Sequence, residues 1–178
     1  MTDKAYIWDK RHIKGNYAYC SDTHTHIPIV NSIIKFKCEK ILDVGCYTGT
    51  LPAMLPYNMV SSYHGIDISQ SALSVARDKC NGLADVSFEI ADLEGYNSTR
   101  QFDCIIFAGI FTYPTYNDKI AIEYAKKFNP DYIIVQDVVR KREMYPNLKK
   151  NYEQVHKEHY QIKARTQRNL RQLYVFKI

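Results

Sequence analysis

Apolar residues recur along the chain in two rhythms. Short runs rich in β-branched and aromatic side chains, at residues 41–44, 62–67, 86–90, 102–108 and 132–137, read as strands. The fourth is apolar almost without interruption, as in a sheet covered on both faces. Helical spacing fills the intervals. After Pro28, residues Ile29, Val30, Ile33 and Ile34, with Phe36, fall on one face, and Thr23 or Thr25 caps the start. A second helix spans about 50–57. A third opens at Ser69 and ends at Asn81-Gly82. A fourth, residues 117–128, places Ile120, Ala121, Tyr124 and Ala125 on one stripe and stops at Asn129-Pro130. Strand and helix alternate across short loops, which predicts an α/β fold built on a parallel sheet with right-handed crossovers. Beyond residue 139 a short helix near 145–153 precedes two extended runs, 155–164 and 170–178, joined by a polar turn into a hairpin. Residues 1–22 form an arm in which Tyr6, Trp8, Tyr17 and Tyr19 stand among charges, and its aromatic content predicts packing onto the domain.

Chemistry concentrates where the first strand ends. Asp43-Val44-Gly45-Cys46-Tyr47-Thr48-Gly49 leads straight into Thr50-Leu51-Pro52, a strand, a glycine turn and a helix start whose backbone N–H groups face a ligand. Asp67 closes the second strand, where a carboxylate is placed for a ribose diol. Ala91-Asp92-Leu93 follows the third. Each acid taken singly is equally a helix cap or a surface residue. Together they stand at the carboxyl ends of strands, where open α/β sheets bind ligands.

This series resembles class I S-adenosylmethionine (SAM)-dependent methyltransferases. Asp43 to Gly49 is similar to that family's first motif, with Asp67, Asp92 and the 102–108 strand at its later ones. The likeness covers residues 36–139 firmly and the C-terminal end more loosely. It implies an α/β three-layer sandwich with a mainly parallel seven-stranded sheet, the last strand antiparallel, and SAM as cofactor with S-adenosylhomocysteine as product. It also implies roles. Gly45 and Gly49 admit the ligand's backbone approach, with Cys46 and Tyr47 completing the turn. Asp43 orients the ammonium group and Asp67 accepts from both ribose hydroxyls. Ile68 packs on the adenine, and Asp92 accepts from its amino group beside Ala91 and Leu93. Phe107 and Ala108 flank the methionine portion, and the N-terminal arm either closes over the pocket or covers a hydrophobic edge. Tyr47 occupies the place where the family often has its middle glycine, so an altered turn surface is expected. Nicotinamide dinucleotide binding is the rival from the same architecture, but Gly-x-x-x-Gly stands here in place of Gly-x-Gly-x-x-Gly.

Methyl transfer is an in-line displacement in which positioning does most of the work, and a general base is optional. Candidates on the substrate side are Asp137, Tyr113 and His26. Asp137 is equally a cap or the partner of Arg140, Tyr113 a wall residue, and His26 an exposed residue near a helix start. The loop after the fourth strand, Ala108-Gly109-Ile110-Phe111-Thr112-Tyr113-Pro114, lacks both the Asn/Asp-Pro-Pro-aromatic tetrapeptide and the Pro-Cys pair of the resembled enzymes. What remains is direct transfer to an O or N atom of a small-molecule or sugar-type acceptor, with a phosphorylated one as the form that the basic tail would hold.

Composition adjusts this picture in three ways. At 178 residues the chain suits one domain, residues 1–178, divided as arm (1–22), cofactor core (23–139) and C-terminal helix and hairpin (140–178). The net charge of +5 is uneven: residues 140–178 hold eleven Lys/Arg against three Asp/Glu. That asymmetry keeps RNA or protein methylation as an alternative, although the charges form no compact run and nucleic acid is not favoured. A non-catalytic SAM-binding subunit is a further alternative, and a homodimer stays open. No apolar run is long enough to span a bilayer, the N-terminus lacks the pattern of a signal peptide, and five scattered cysteines without CxxC spacing suggest free thiols, so a cytoplasmic protein without a metal site or membrane partner is expected.

Overall fold

A computed structural model describes residues 3–15, 21–56, 58–112, 116–139, 144–163 and 168–178. Among them, six helices and seven strands follow in chain order: α1 (Asp3–Ile13), α2 (Thr23–Phe36), β1 (Lys40–Val44), α3 (Thr50–Met54), β2 (Ser62–Asp67), α4 (Gln70–Lys79), β3 (Val86–Ile90), β4 (Cys104–Ala108), α5 (Lys119–Phe128), β5 (Tyr132–Val138), α6 (Pro146–Asn151), β6 (Glu153–Lys163) and β7 (Arg168–Lys177). The strands form one sheet in the order β3-β2-β1-β4-β5-β7-β6. The first five pair in parallel, and β7 enters antiparallel between β5 and β6. The expected sheet and its antiparallel last strand are therefore present.

Period-two alternation divides the strand residues between two cores. Ile41, Cys104, Ile106, Ile134, Leu173 and Val175 face α2, whose Ile29, Val30 and Ile33 cover them. Leu42, Val44, Ile105, Phe107, Ile133, Val135, Tyr174 and Phe176 face α5 and α6, meeting Ala121, Tyr124, Ala125 and Leu148. This explains the unbroken apolar runs of β1, β4 and β5: both faces are dry.

Three boundaries differ from expectation for identifiable reasons. The helix α2 begins at Thr23, five residues before Pro28, because the Asp22 carboxylate and not a threonine caps it, accepting from His24 N at 3.0 Å. The helix α3 stops at Met54; Leu55 precedes a proline and is extended (φ −69°, ψ 137°), as steric conflict with a following proline ring requires. Residues 3–13 of the arm form a helix, α1, which lies on α4. There Asp9 Oδ1 accepts from Ser69 Oγ (2.6 Å), Ser71 Oγ (2.9 Å) and Ser71 N (3.1 Å), a carboxylate set at a helix N-terminus.

Gly49 illustrates how closely the layers meet. It adopts φ +64° at the start of α3, and a Cβ there would stand 3.0 Å from Ala76 Cβ and 3.1 Å from Phe88 Cζ. Left-handed strain and overpacking act in the same direction, so Gly49→Ala is expected to cost about 2–4 kcal/mol in a urea melt.

Candidate active site

The carboxyl ends of the strands line one cavity, and its wall follows the order of the sheet. Ala91, Asp92 and Leu93 come after β3; Ile66, Asp67, Ile68 and Ser69 end β2; Asp43, Gly45, Cys46 and Tyr47 end β1. Ala108, Gly109, Ile110 and Thr112 follow at β4, then Gln136 of β5 and Arg171 of β7. Trp8 and His12 of α1, Thr25 and His26 of α2, and Tyr116 complete it.

At the turn after β1 the backbone N–H groups of Gly45 and Cys46 both donate to Ile66 O, at 2.8 and 3.0 Å. Gly45 takes φ +76° and Tyr47 φ +51°. The second value gives physical content to the departure noted in the sequence: the position demands a left-handed backbone, which glycine adopts freely and tyrosine at some strain. Tyr47 N donates to Asp67 Oδ2 (3.0 Å), and its ring meets the His12 imidazole edge-on at 5.0 Å. Ser69 N donates to Asp67 Oδ1 (2.9 Å). Each Asp67 oxygen thus holds one backbone donor and keeps a lone pair for a ligand. Burial raises the Asp67 carboxyl above its usual range, against the lowering effect of these bonds.

Asp43 is 4% exposed and receives the Tyr63 hydroxyl. Burial pushes its pKa up to about 7, with the Tyr63 bond opposing and the Asp67 charge adding. Asp92 is bound at 2.8 and 2.9 Å by Lys4 Nζ of α1, which also reaches Glu94 (3.1 Å) and lies 5.1 Å over the Tyr116 ring. Burial acts to lower the Lys4 pKa, and the hydrogen bonds to Asp92, Tyr116 and Glu94 outweigh it, so the ammonium is held charged. Lys4 and Asp9 together tether α1 over the cavity. Lys4→Met combined with Asp9→Asn is expected to accelerate amide exchange across residues 5–13 with no change in β1, β4 or β5, read by hydrogen–deuterium mass spectrometry.

The remaining site expectations separate into two groups. Asp43, Gly45, Cys46, Tyr47, Asp67, Ile68, Ala91, Asp92, Leu93, Ala108 and His26 are brought together on the cavity wall. Gly49, Phe107 and Asp137 are not on it. Gly49 serves the α3–α4 contact. Phe107 points to the α5 face, fully buried between Phe111 (5.3 Å) and Tyr124 (5.4 Å). Asp137 lies behind Thr112, which donates to Oδ1 through N (3.0 Å) and Oγ1 (2.6 Å), while Tyr145 donates to Oδ2 (2.9 Å). Burial pushes the Asp137 pKa up to about 6 against those bonds and the Arg171 charge. Tyr113 lies outside the described residues. Sequence reading missed His12, Thr25, Gln136 and Arg171 as wall residues, and gave Trp8 only as part of an arm that closes over the pocket or covers an edge. Gln136, which with Asp137 breaks the apolar β5 run, was a signal within the strand.

Residues 35–177 match a family model described as a methyltransferase domain. The chain belongs to the class I SAM-dependent methyltransferase family. Its cofactor is SAM, and the wall suits that ligand: it brings the carboxyl groups of Asp43, Asp67 and Asp92 to one groove, Gly45 opens the turn, and His12 Nδ1 is buried with no hydrogen-bond partner. Over 102 residues the methyltransferase chain is 31% identical to cyclopropane-fatty-acyl-phospholipid synthase of Escherichia coli, which covers 53% of this chain and 26% of that protein. Over 116 residues it is 25% identical to malonyl-[acyl-carrier protein] O-methyltransferase 1 of Ilyobacter polytropus, 59% of this chain and 43% of that one. It thus matches about a quarter of the first of these curated relatives and under half of the second. In fold, it is similar to magnesium protoporphyrin IX methyltransferase of Synechocystis solved with bound SAM, at a TM-score of 0.70 and 16% identity over 100% of this chain and 99% of that chain.

Proposed function

We propose that this chain transfers the methyl group of SAM directly to an O or N atom of a small-molecule acceptor. The observation that carries the reading is the division of one cavity along the sheet rim. The acids 43, 67 and 92 lie over β1, β2 and β3, leaving the β4–β5–β7 end, with His26, Thr112, Gln136 and Arg171, to a second and smaller molecule. Asp67 would hold the ribose, Asp92 with Leu93 the adenine, and Asp43 with Gly45 the amino-acid portion. SAM supplies an electrophilic methyl whose leaving group is a neutral thioether. The chain's own part is then to align the acceptor and exclude water, and Trp8 and His12 of α1 serve the second purpose.

A proton released by the acceptor has two receivers within this geometry. His26 lines the cavity directly. Asp137 is reached through the Thr112 hydroxyl, which hydrogen-bonds to it, and this makes Asp137 a relay end and not a contact residue. Among the relatives, the malonyl-[acyl-carrier protein] O-methyltransferase carries transfer to oxygen in its name, and this supports an oxygen acceptor.

The test is calorimetric titration with SAM and with S-adenosylhomocysteine, followed by a screen of hydroxyl and amine acceptors for S-adenosylhomocysteine release. Binding of both nucleosides and turnover with at least one small acceptor is expected; folded protein that binds neither would sink the reading. Asp137→Asn should lower kcat by roughly 100-fold with KM for SAM unchanged, the low end of a proton-transfer contribution.

A further inference from the structure

Helical spacing puts Asp9 and His12 of α1, one turn apart, on the same face. Asp9 docks that face on the start of α4 through Ser69 and Ser71, and this sets His12 in the cavity wall, half-buried. Two chains of contacts run from the docked face to Asp67. Ser69, whose hydroxyl donates to Asp9, gives its N–H to Asp67 Oδ1 at 2.9 Å. Tyr47, whose ring meets the His12 imidazole edge-on at 5.0 Å, gives its N–H to Asp67 Oδ2 at 3.0 Å. Burial raises the Asp67 carboxyl and a protonated His12 acts in the opposite sense, so ring and carboxyl lie within electrostatic reach of each other.

At this corner His12 Nδ1 is buried with no hydrogen-bond partner among the described residues. A buried polar atom left unmet is costly, and an imidazole nitrogen can meet a ligand as a donor. A vicinal diol at Asp67 has the complementary need. Its two hydroxyl protons go to the carboxylate, and each hydroxyl oxygen then keeps lone pairs that still lack a donor. The other donors around Asp67 are committed inside the protein: Tyr47 N and Ser69 N to Asp67 itself, and the Ser69 hydroxyl to Asp9. The imidazole of α1 is the group positioned to complete the pairing.

We propose that His12 is a cofactor-binding residue, donating through Nδ1–H to a hydroxyl oxygen of the ribose whose protons Asp67 accepts, a reading that rests on the assignment of Asp67 to the ribose above. The N-terminal helix is then part of the nucleoside site and not only its cover. Acceptor and donor come from different elements, Asp67 from the end of β2 and His12 from α1. The diol is therefore read in full only while α1 is docked. A nucleoside that lacks the partner hydroxyl forfeits its bond to the carboxylate and its bond to the imidazole together.

The experiment is a calorimetric titration of wild type, His12→Phe and His12→Asn with S-adenosylhomocysteine and its 2′-deoxy and 3′-deoxy analogues. His12→Phe keeps an aromatic edge for Tyr47 and removes the nitrogen, whereas His12→Asn keeps a donor. Wild type should bind at least one deoxy analogue roughly 100-fold more weakly than the parent, and His12→Phe should bind the parent roughly tenfold more weakly than wild type does. For the analogue that lacks the partner hydroxyl, His12→Phe should cost less than about twofold, because a contact already removed cannot be lost again. His12→Asn should recover part of the affinity for the parent. Amide exchange across residues 5–13 in the ligand-free protein should match between wild type and His12→Phe, the mark of a helix that stays docked. Equal weakening of the parent and both analogues by His12→Phe, or parent affinity within about twofold of wild type, would overturn the role. Wild type that prefers the parent, with the same preference kept in His12→Phe, would overturn His12 alone and leave Asp67 on the ribose. Wild type that binds all three nucleosides alike would overturn both. Should His12→Phe not fold, His12→Ala, a good helix former, is read in the same way.

Discussion

Replacing Asp67 by alanine is expected to weaken S-adenosylhomocysteine binding by roughly 100-fold or more, since two charge-assisted bonds to a diol are worth about 3 kcal/mol or more together. The loss has a second source. Asp67 also receives Tyr47 N and Ser69 N, so its removal strands two backbone donors and loosens the turn after β1 and the start of α4 at once. Calorimetry gives the affinity, and a thermal melt separates local from global damage. Asp67→Asn keeps one acceptor oxygen and the shape, and should fall between wild type and alanine. An alanine variant that binds within tenfold of wild type would remove Asp67 from the ribose role.

Affinity for the same nucleoside is expected to rise about tenfold between pH 6 and pH 8, because a carboxyl titrating near 7 passes from mostly neutral to mostly ionised across that range. The sign follows from what each state holds. Free protein keeps the Asp43 proton below about pH 7 because burial disfavours the carboxylate. A bound ammonium group favours the ionised form, so the complex has the lower pKa and binding releases a proton. Affinity therefore grows with pH through the window and levels off above it. Asp43→Asn should bind more weakly and lose the slope. Calorimetry in buffers of different ionisation enthalpy counts the proton directly, and a flat profile in wild type would show that Asp43 is not coupled to the ligand.

The architecture was legible because each strand–helix unit carries its own punctuation: Gly45 and Gly49 after β1, Ser69 before α4, Asn129-Pro130 after α5. The placement of the three acids was legible for the same reason, each standing at or just beyond the carboxyl end of a strand. Side-chain direction was not. In β4 and β5 both faces are buried, so apolar content gives no phase, and Phe107 and Asp137 were assigned to the cavity although register turns them to the α5 and α6 side. The same phase brings Gln136 and Arg171 to the other side. The helix α1 was read only as an aromatic arm, because what docks it is polar: Asp9 to Ser69 and Ser71, Lys4 to Asp92, partners sixty or more residues away that no local pattern announces. Asp22 was passed over for its threonine neighbours, as several good capping residues stand together there and only the backbone geometry chooses among them.

The position of β7 bears on how the protein is made. A strand that follows β6 in the chain but sits between it and β5 means that β6 has nothing to pair with until residues 168–177 have been synthesised. During that interval the outer side of β5, Tyr132 to Val138, is an open edge rich in isoleucine and valine, the kind of surface that recruits strands from other molecules. Chains halted before residue 168 should accordingly accumulate in inclusion bodies.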